Sequence, residues 1–222
     1  MEQPDLLICA CSVRHLTDSA AVRTLAASAR NAGLSVEIIP DLCYSAVKAP
    51  ETIRAKMIAA CHSRAVSSLC YQAKHTPITL LDLRTRPISE ALETLKIEKG
   101  GNPFEVTLPV YEGEWVPWFP VIDRDRCTNC GKCVDFCMFG VYEADGLVEV
   151  SVPENCKTDC PACARICPET AIIFPKHLKS PINGGLEQEE ETAVDPSALY
   201  TQRDLYQQLS ARRRKPGNLT RE

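Results

Sequence analysis

Cys127-Thr-Asn-Cys130-Gly-Lys-Cys133-Val-Asp-Phe-Cys137 spaces four cysteines as C-x2-C-x2-C-x3-C. A second group, Cys156-Lys-Thr-Asp-Cys160-Pro-Ala-Cys163-Ala-Arg-Ile-Cys167, repeats the pattern with one extra residue in its first gap. The flanks repeat as well. Trp118-Phe-Pro-Val-Ile122 precedes the first group and Leu147-Val-Glu-Val-Ser-Val152 the second. Gly140-Val-Tyr142 follows the first and Ala171-Ile-Ile-Phe174 the second. The pattern is an internal duplication: strand, cysteine loop, short helix, strand, twice over.

Three thiolates on so short a loop crowd a tetrahedral zinc ion. Zinc modules use paired cysteines on separated loops or bring in histidine. The same spacing suits three irons of a [4Fe–4S] cube, and the x3 step carries the chain into a helix whose cysteine reaches a second cube. By pseudo-twofold exchange, Cys127, Cys130, Cys133 and Cys167 hold one cluster, and Cys156, Cys160, Cys163 and Cys137 the other. With these motifs, residues 118–175 resemble a bacterial-type two-[4Fe–4S]-cluster ferredoxin domain. The sequence departs from that family at Met138, where proline is usual, and at the C-x3-C step of the second motif; neither change removes a ligand. The resemblance implies an α+β fold and the passage of single electrons between donor and acceptor proteins, as the ferredoxin subunit of a larger oxidoreductase complex.

Working outward, the chain has 222 residues, 45% of them hydrophobic, which excludes global disorder. A formal charge of −4 gives nucleic acid no general attraction. The start Met-Glu-Gln-Pro-Asp lacks a cationic leader, and no run of 18 apolar residues occurs, so a cytoplasmic chain without a membrane span is expected. In a reducing compartment the 13 cysteines read as metal ligands rather than disulfides. Gly100-Gly101-Asn102-Pro103, Pro109, Gly113, Pro117 and Pro120 give turn and linker chemistry. Three parts are expected: an α/β domain over 1–110, a cysteine-rich domain over 115–180, and a tail over 181–222. In the tail an acidic linker (Glu187 to Glu191) precedes an amphipathic helix from Asp195-Pro196 through about Arg212, with Leu199, Leu205, Tyr206 and Leu209 as its apolar stripe.

The first part alternates strand and helix. Leu6–Cys11, Leu34–Ile39, Lys56–Ala60 and Ile78–Leu83 read as strands; Ser19–Asn31, a start at Pro50, and Ser63–Ala73 read as helices. That order predicts a mostly parallel sheet. Cys9 and Cys11 end the first strand, Cys43 follows the second and Cys61 the third, so at least three thiols converge beyond the carboxyl ends of the strands, where open α/β sheets build their sites. Cys70 lies two turns along the helix that follows.

Cys9-Ala-Cys11, Asp41-Leu-Cys43 and Ala60-Cys61-His-Ser-Arg64 resemble the N-terminal domain of the flavin-binding subunit of heterodisulfide reductase, which binds a [4Fe–4S] cluster. The resemblance covers residues 5–86 and implies a third [4Fe–4S] cluster on Cys11, Cys43 and Cys61, with Cys9 or Cys70 as fourth ligand. It departs at Arg84-Thr-Arg86, where the family has a further cysteine, and the large flavin-binding part of that family is absent. Against it stands the ordinary reading of cysteine as a small core residue.

No G-x-G-x-x-G or P-loop pattern occurs, so no nucleotide or flavin site is expected. His15, His62, His75 and His177 do not pair at ligand spacing, and Trp115, Trp118 and Phe119 read as packing under the cluster domain. The leading expectation is a non-catalytic iron–sulfur electron-transfer protein or subunit. Two others are a thiol/disulfide oxidoreductase acting through the N-terminal cysteines and a cluster-based redox sensor.

Overall fold

The computed structural model describes residues 3–186. Its first half is built on β1 (Leu6–Cys9), β2 (Val36–Ile39), β3 (Met57–Ala60) and β4 (Thr79–Asp82), all parallel, in the order β2-β1-β3-β4. Helices α1 (Ser19–Asn31), α2 (Leu42–Lys48), α3 (Ser63–Gln72) and α4 (Ile88–Leu95) follow the strands in turn. Asp18 starts α1 by accepting from the Ala20 N–H, and Gly33, at φ 85°, lets the chain leave the helix.

Both faces of the sheet are covered, so β1 is fully buried and reads as a continuous apolar run. Strand side chains alternate. Leu6, Ile8 and Ala59 pack with Val22 and Leu25 of α1 and Leu92 of α4. Leu7, Cys9, Ile58 and Ala60 point the other way, into a core with Leu42 of α2 and Leu69 of α3. Cys9 therefore lies on the face that meets the rest of the protein. The expected mostly parallel sheet is present. Sequence patterning missed α2 and α4, each of at most about two turns, and Pro50–Thr52 makes a single 3-10 turn.

The second half runs β5 (Val121–Ile122), α5 (Lys132–Phe136), β6 (Tyr142–Asp145), β7 (Leu147–Val150), α6 (Ala162–Ile166) and β8 (Ile172–Ile173). This is the expected duplicated strand–helix–strand unit. The first strand of one repeat pairs antiparallel with the last strand of the other, β5 with β8, while β6 and β7 form a hairpin turning at Gly146, φ 83°.

The two halves share one core. Phe119, Val121 and Ile173 of the second half belong to the cluster that holds Leu7, Ile58 and Leu69 of the first. Arg64 at the start of α3 donates to the Asp123 carboxylate and the Thr170 carbonyl. Arg84, just past β4, donates to the carbonyls of Pro175 (2.9 Å) and His177 (2.7 Å). Arg14 pairs with Asp159 at 2.6 Å, and Lys48 pairs with Glu154. A Cβ at Gly184 would stand 2.9 Å from Ala65 Cβ, so backbone and helix touch there. The described residues accordingly form one compact unit.

Among the described residues no helix is long and apolar enough to cross a membrane. The amphipathic tail helix expected from Asp195 lies outside the described residues.

Candidate metal centres

The duplicated half brings its eight cysteines together in two sets. Cys127 and Cys130 lie on the loop before α5, Cys133 on its first turn, and Cys167 directly after α6. These four line one small cavity with Ile122, Val148 and Ile172. Cys156, Cys160 and Cys163, with Cys137 from the end of α5, line a second and more open space beside Phe136, Met138 and Phe139. Each set takes three cysteines from one repeat and one from the other.

The loop backbones repeat too. Asn129 and Asp159, each directly before a cysteine, have φ of 55° and 61°; Gly140 and Thr170, three residues past the last cysteine of each motif, have φ of 64° and 46°. Non-glycine residues in this left-handed region cost of the order of 1–3 kcal/mol and cluster at functional sites. Met138, at the position usually held by proline, stands 86% exposed at the rim of the second space.

Several sulfurs have hydrogen-bond partners. The Tyr142 hydroxyl donates to Cys163 Sγ at 3.1 Å, and the Ala171 N–H to Cys167 Sγ at 3.3 Å. Burial pushes the Cys133 and Cys163 thiols up to about 11 and Cys156 to about 12. These thiols are neutral at pH 7 until a metal displaces their protons. Donors to ligand sulfur stabilise added electron density and raise a cluster's potential. Tyr142→Phe should therefore lower the potential of the centre that Cys163 serves and leave the other unchanged. A redox titration followed by electron paramagnetic resonance (EPR) reads this directly; equal potentials in variant and wild type would mean the hydroxyl does not act on the sulfur.

A third set of four cysteines lies in the first half. Cys9 ends β1, Cys11 follows it at φ 49°, Cys43 is the second residue of α2, and Cys61 follows β3. All four are at most 9% exposed. They line one small cavity together, as the Cys127 set does. The cavity lies beyond the carboxyl ends of β1 and β3, where the chain order reverses about β1, the place such sheets reserve for ligands. The Leu42 N–H donates to Cys9 Sγ at 3.2 Å. Burial pushes the Cys9, Cys43 and Cys61 thiols well up.

Cys70 is fully buried on α3 and is not part of the cavity wall; burial pushes it to about 12. His62 is also buried, with Nδ1 3.2 Å from the Asp82 carboxylate, and it too is absent from the wall. Sequence reasoning missed two wall residues. Asp41 caps α2 by accepting from the Tyr44 N–H, and Lys176, from the segment after β8, pairs with the same carboxylate. The Asp-Leu-Cys stretch carries a capping signal for Asp41; nothing local marks Lys176.

Among the described residues, no three His, Cys, Asp or Glu side chains gather tightly enough to hold one metal ion.

Residues 119–191 match the family model of the 4Fe-4S dicluster domain. An uncharacterized ferredoxin of Methanocaldococcus jannaschii is 50% identical over 62 residues, which cover 27% of this chain and 42% of that protein. Ferredoxin-3 of a Nostoc species is 36% identical over 25% of this chain and 76% of its own length. The pyruvate synthase subunit PorD of Methanothermobacter marburgensis is 33% identical over 27% of this chain and 69% of its own length. The chain thus spans less than half the length of the first of these relatives.

Proposed function

Since the chain belongs to the ferredoxins with a 4Fe-4S dicluster domain, we propose that it is an electron-transfer subunit of a larger oxidoreductase and holds three [4Fe–4S] clusters. When bound, each cluster accepts and returns one electron. In this reading Cys127, Cys130, Cys133 and Cys167 hold the first centre, and Cys137, Cys156, Cys160 and Cys163 the second. Cys9, Cys11, Cys43 and Cys61 hold the N-terminal centre. The observation that carries it is the grouping of twelve cysteines into three cavity linings of four each. The resemblance of residues 5–86 to the N-terminal domain of the heterodisulfide reductase flavoprotein supports the third set. The name of the pyruvate synthase relative supports a place in a complex.

The chain's own residues give the sites distinct surroundings. The N-terminal set lies buried among Leu16, Leu42, Leu69 and Pro175. Cys130 is exposed, so the first centre has an open side toward a partner. Cys156 packs against the core that contains the N-terminal thiols and also against the core on which Cys127, Cys133 and Cys167 pack. Ion pairs Arg14–Asp159 and Lys48–Glu154 tie its loop to the segments that carry Cys11 and Cys43. That packing supports a linear order, with the Cys156 centre in the middle.

Thiol–disulfide chemistry at the N-terminal cysteines is disfavoured by the same burial. The thiolate is the nucleophile, and these thiols are pushed toward the neutral form. Iron and acid-labile sulfide counts after anaerobic reconstitution test the reading. About twelve of each per chain are expected, with one EPR signal lost in Cys43→Ala. About eight of each, unchanged in Cys43→Ala, would leave a two-cluster protein with a thiol-filled core.

A further inference from the structure

Lys176 is a cation in a place that ordinarily excludes one. Its side chain is 3% exposed and that of its partner Asp41 is 1% exposed. Desolvating two such charges costs several kcal/mol each, and a buried ion pair is often no more stabilising than apolar residues of the same volume. Stability alone therefore does not explain the pair.

Its location does. Both residues stand in the wall of the N-terminal cavity beside Cys9, Cys11, Cys43 and Cys61. Asp41 uses Oδ1 to cap α2 and offers Oδ2 to the ammonium, so the helix that carries Cys43 fixes the carboxylate. Arg84 holds the backbone on either side of Lys176 through the Pro175 and His177 carbonyls. The ammonium is thus anchored on both flanks.

We infer that Lys176 is a positioning residue for charge at the N-terminal centre: its ammonium favours the reduced state there, and the Asp41 carboxylate opposes it. The inference rests on the three-centre reading above. Reduction adds one electron from a one-electron donor to the four-thiolate site; no bond is made or broken and no proton is taken up. The site becomes more negative by one charge, in a core where water cannot screen it. A fixed cation at the wall lowers that cost, and a fixed anion raises it.

The test is an EPR-monitored redox titration of the reconstituted full chain, with dithionite as reductant, on wild type, Lys176→Met and Asp41→Asn. Asparagine keeps the helix cap and removes the charge. At a fixed potential, the reduced-to-oxidised ratio of the N-terminal signal should fall about tenfold in Lys176→Met and rise about tenfold in Asp41→Asn, the scale of one buried charge. The two other signals should not move, and Lys176→Arg should stay near wild type. Shifts of the same sign in Lys176→Met and Asp41→Asn, or none in either, would overturn the inference. If Lys176→Met fails to hold its clusters, Asp41→Asn and Lys176→Arg decide it. A wild type with only about eight irons would instead end the three-centre reading before any variant is compared.

Discussion

Cys156→Ala should cost the chain about four irons and four sulfides, and it should leave the two remaining centres magnetically isolated from each other. Paramagnetic centres broaden each other's EPR signals when they are neighbours and cease to when the site between them is emptied. Cys156 packs against two hydrophobic cores, one that contains the N-terminal thiols and one on which Cys127, Cys133 and Cys167 also pack. The control is Cys130→Ala. It empties an end position, where the cysteine is exposed, and the two remaining centres should still broaden each other. Identical coupling in the two variants would sink the linear arrangement, whatever the iron count. Cys70→Ala should change neither iron content nor coupling, because Cys70 is no part of the N-terminal cavity wall.

Phe119→Ala should destabilise both halves at once, by about 3–5 kcal/mol. Phe119 precedes the first cysteine motif, yet it is 2% exposed in the core built by Leu7, Ile58 and Leu69 of the first half. Its ring stacks on Trp115 at 5.9 Å and 19°. Truncation leaves a cavity on the seam between the halves, with few neighbours free to fill it. Anaerobic guanidinium unfolding, followed by far-ultraviolet circular dichroism and by cluster absorbance, should show both probes move together to lower denaturant. Two separate transitions, only one of them shifted, would mean that the halves are independent and that the shared core contributes little.

The two groupings of cysteines in the second half were legible in the sequence because their geometry is local. A loop of C-x2-C-x2-C presents three thiols by itself, and the repeat supplies the fourth from across a pseudo-twofold axis. The parallel sheet was legible from the alternation of apolar runs with helical ones. What escaped was either too short or too distant. Helix α2 has seven residues, too few for a period to show, although it carries Cys43. Trp115, Trp118 and Phe119 read as one packing group under the cluster half, but extended chain sends neighbouring side chains to opposite faces. Trp118 packs with Phe174 in the second half's core, while Phe119 enters the first half's. Lys176 reads as surface in any sequence, since lysine is almost never fully buried unless paired. Its partner is 135 positions away.

The wall formed by Pro175 and Lys176 has a consequence for how the protein is made. A ribosome finishes β4 at Asp82 and needs 93 more residues to reach Pro175. At about 5–20 residues per second that takes roughly 5–20 seconds. Through that interval the wall around Cys9, Cys11, Cys43 and Cys61 lacks the side that Pro175 and Lys176 supply. Once the chain is complete and folded, that side is closed by its own C-terminal half. On the three-centre reading, a cluster enters this site most easily before its last wall is made.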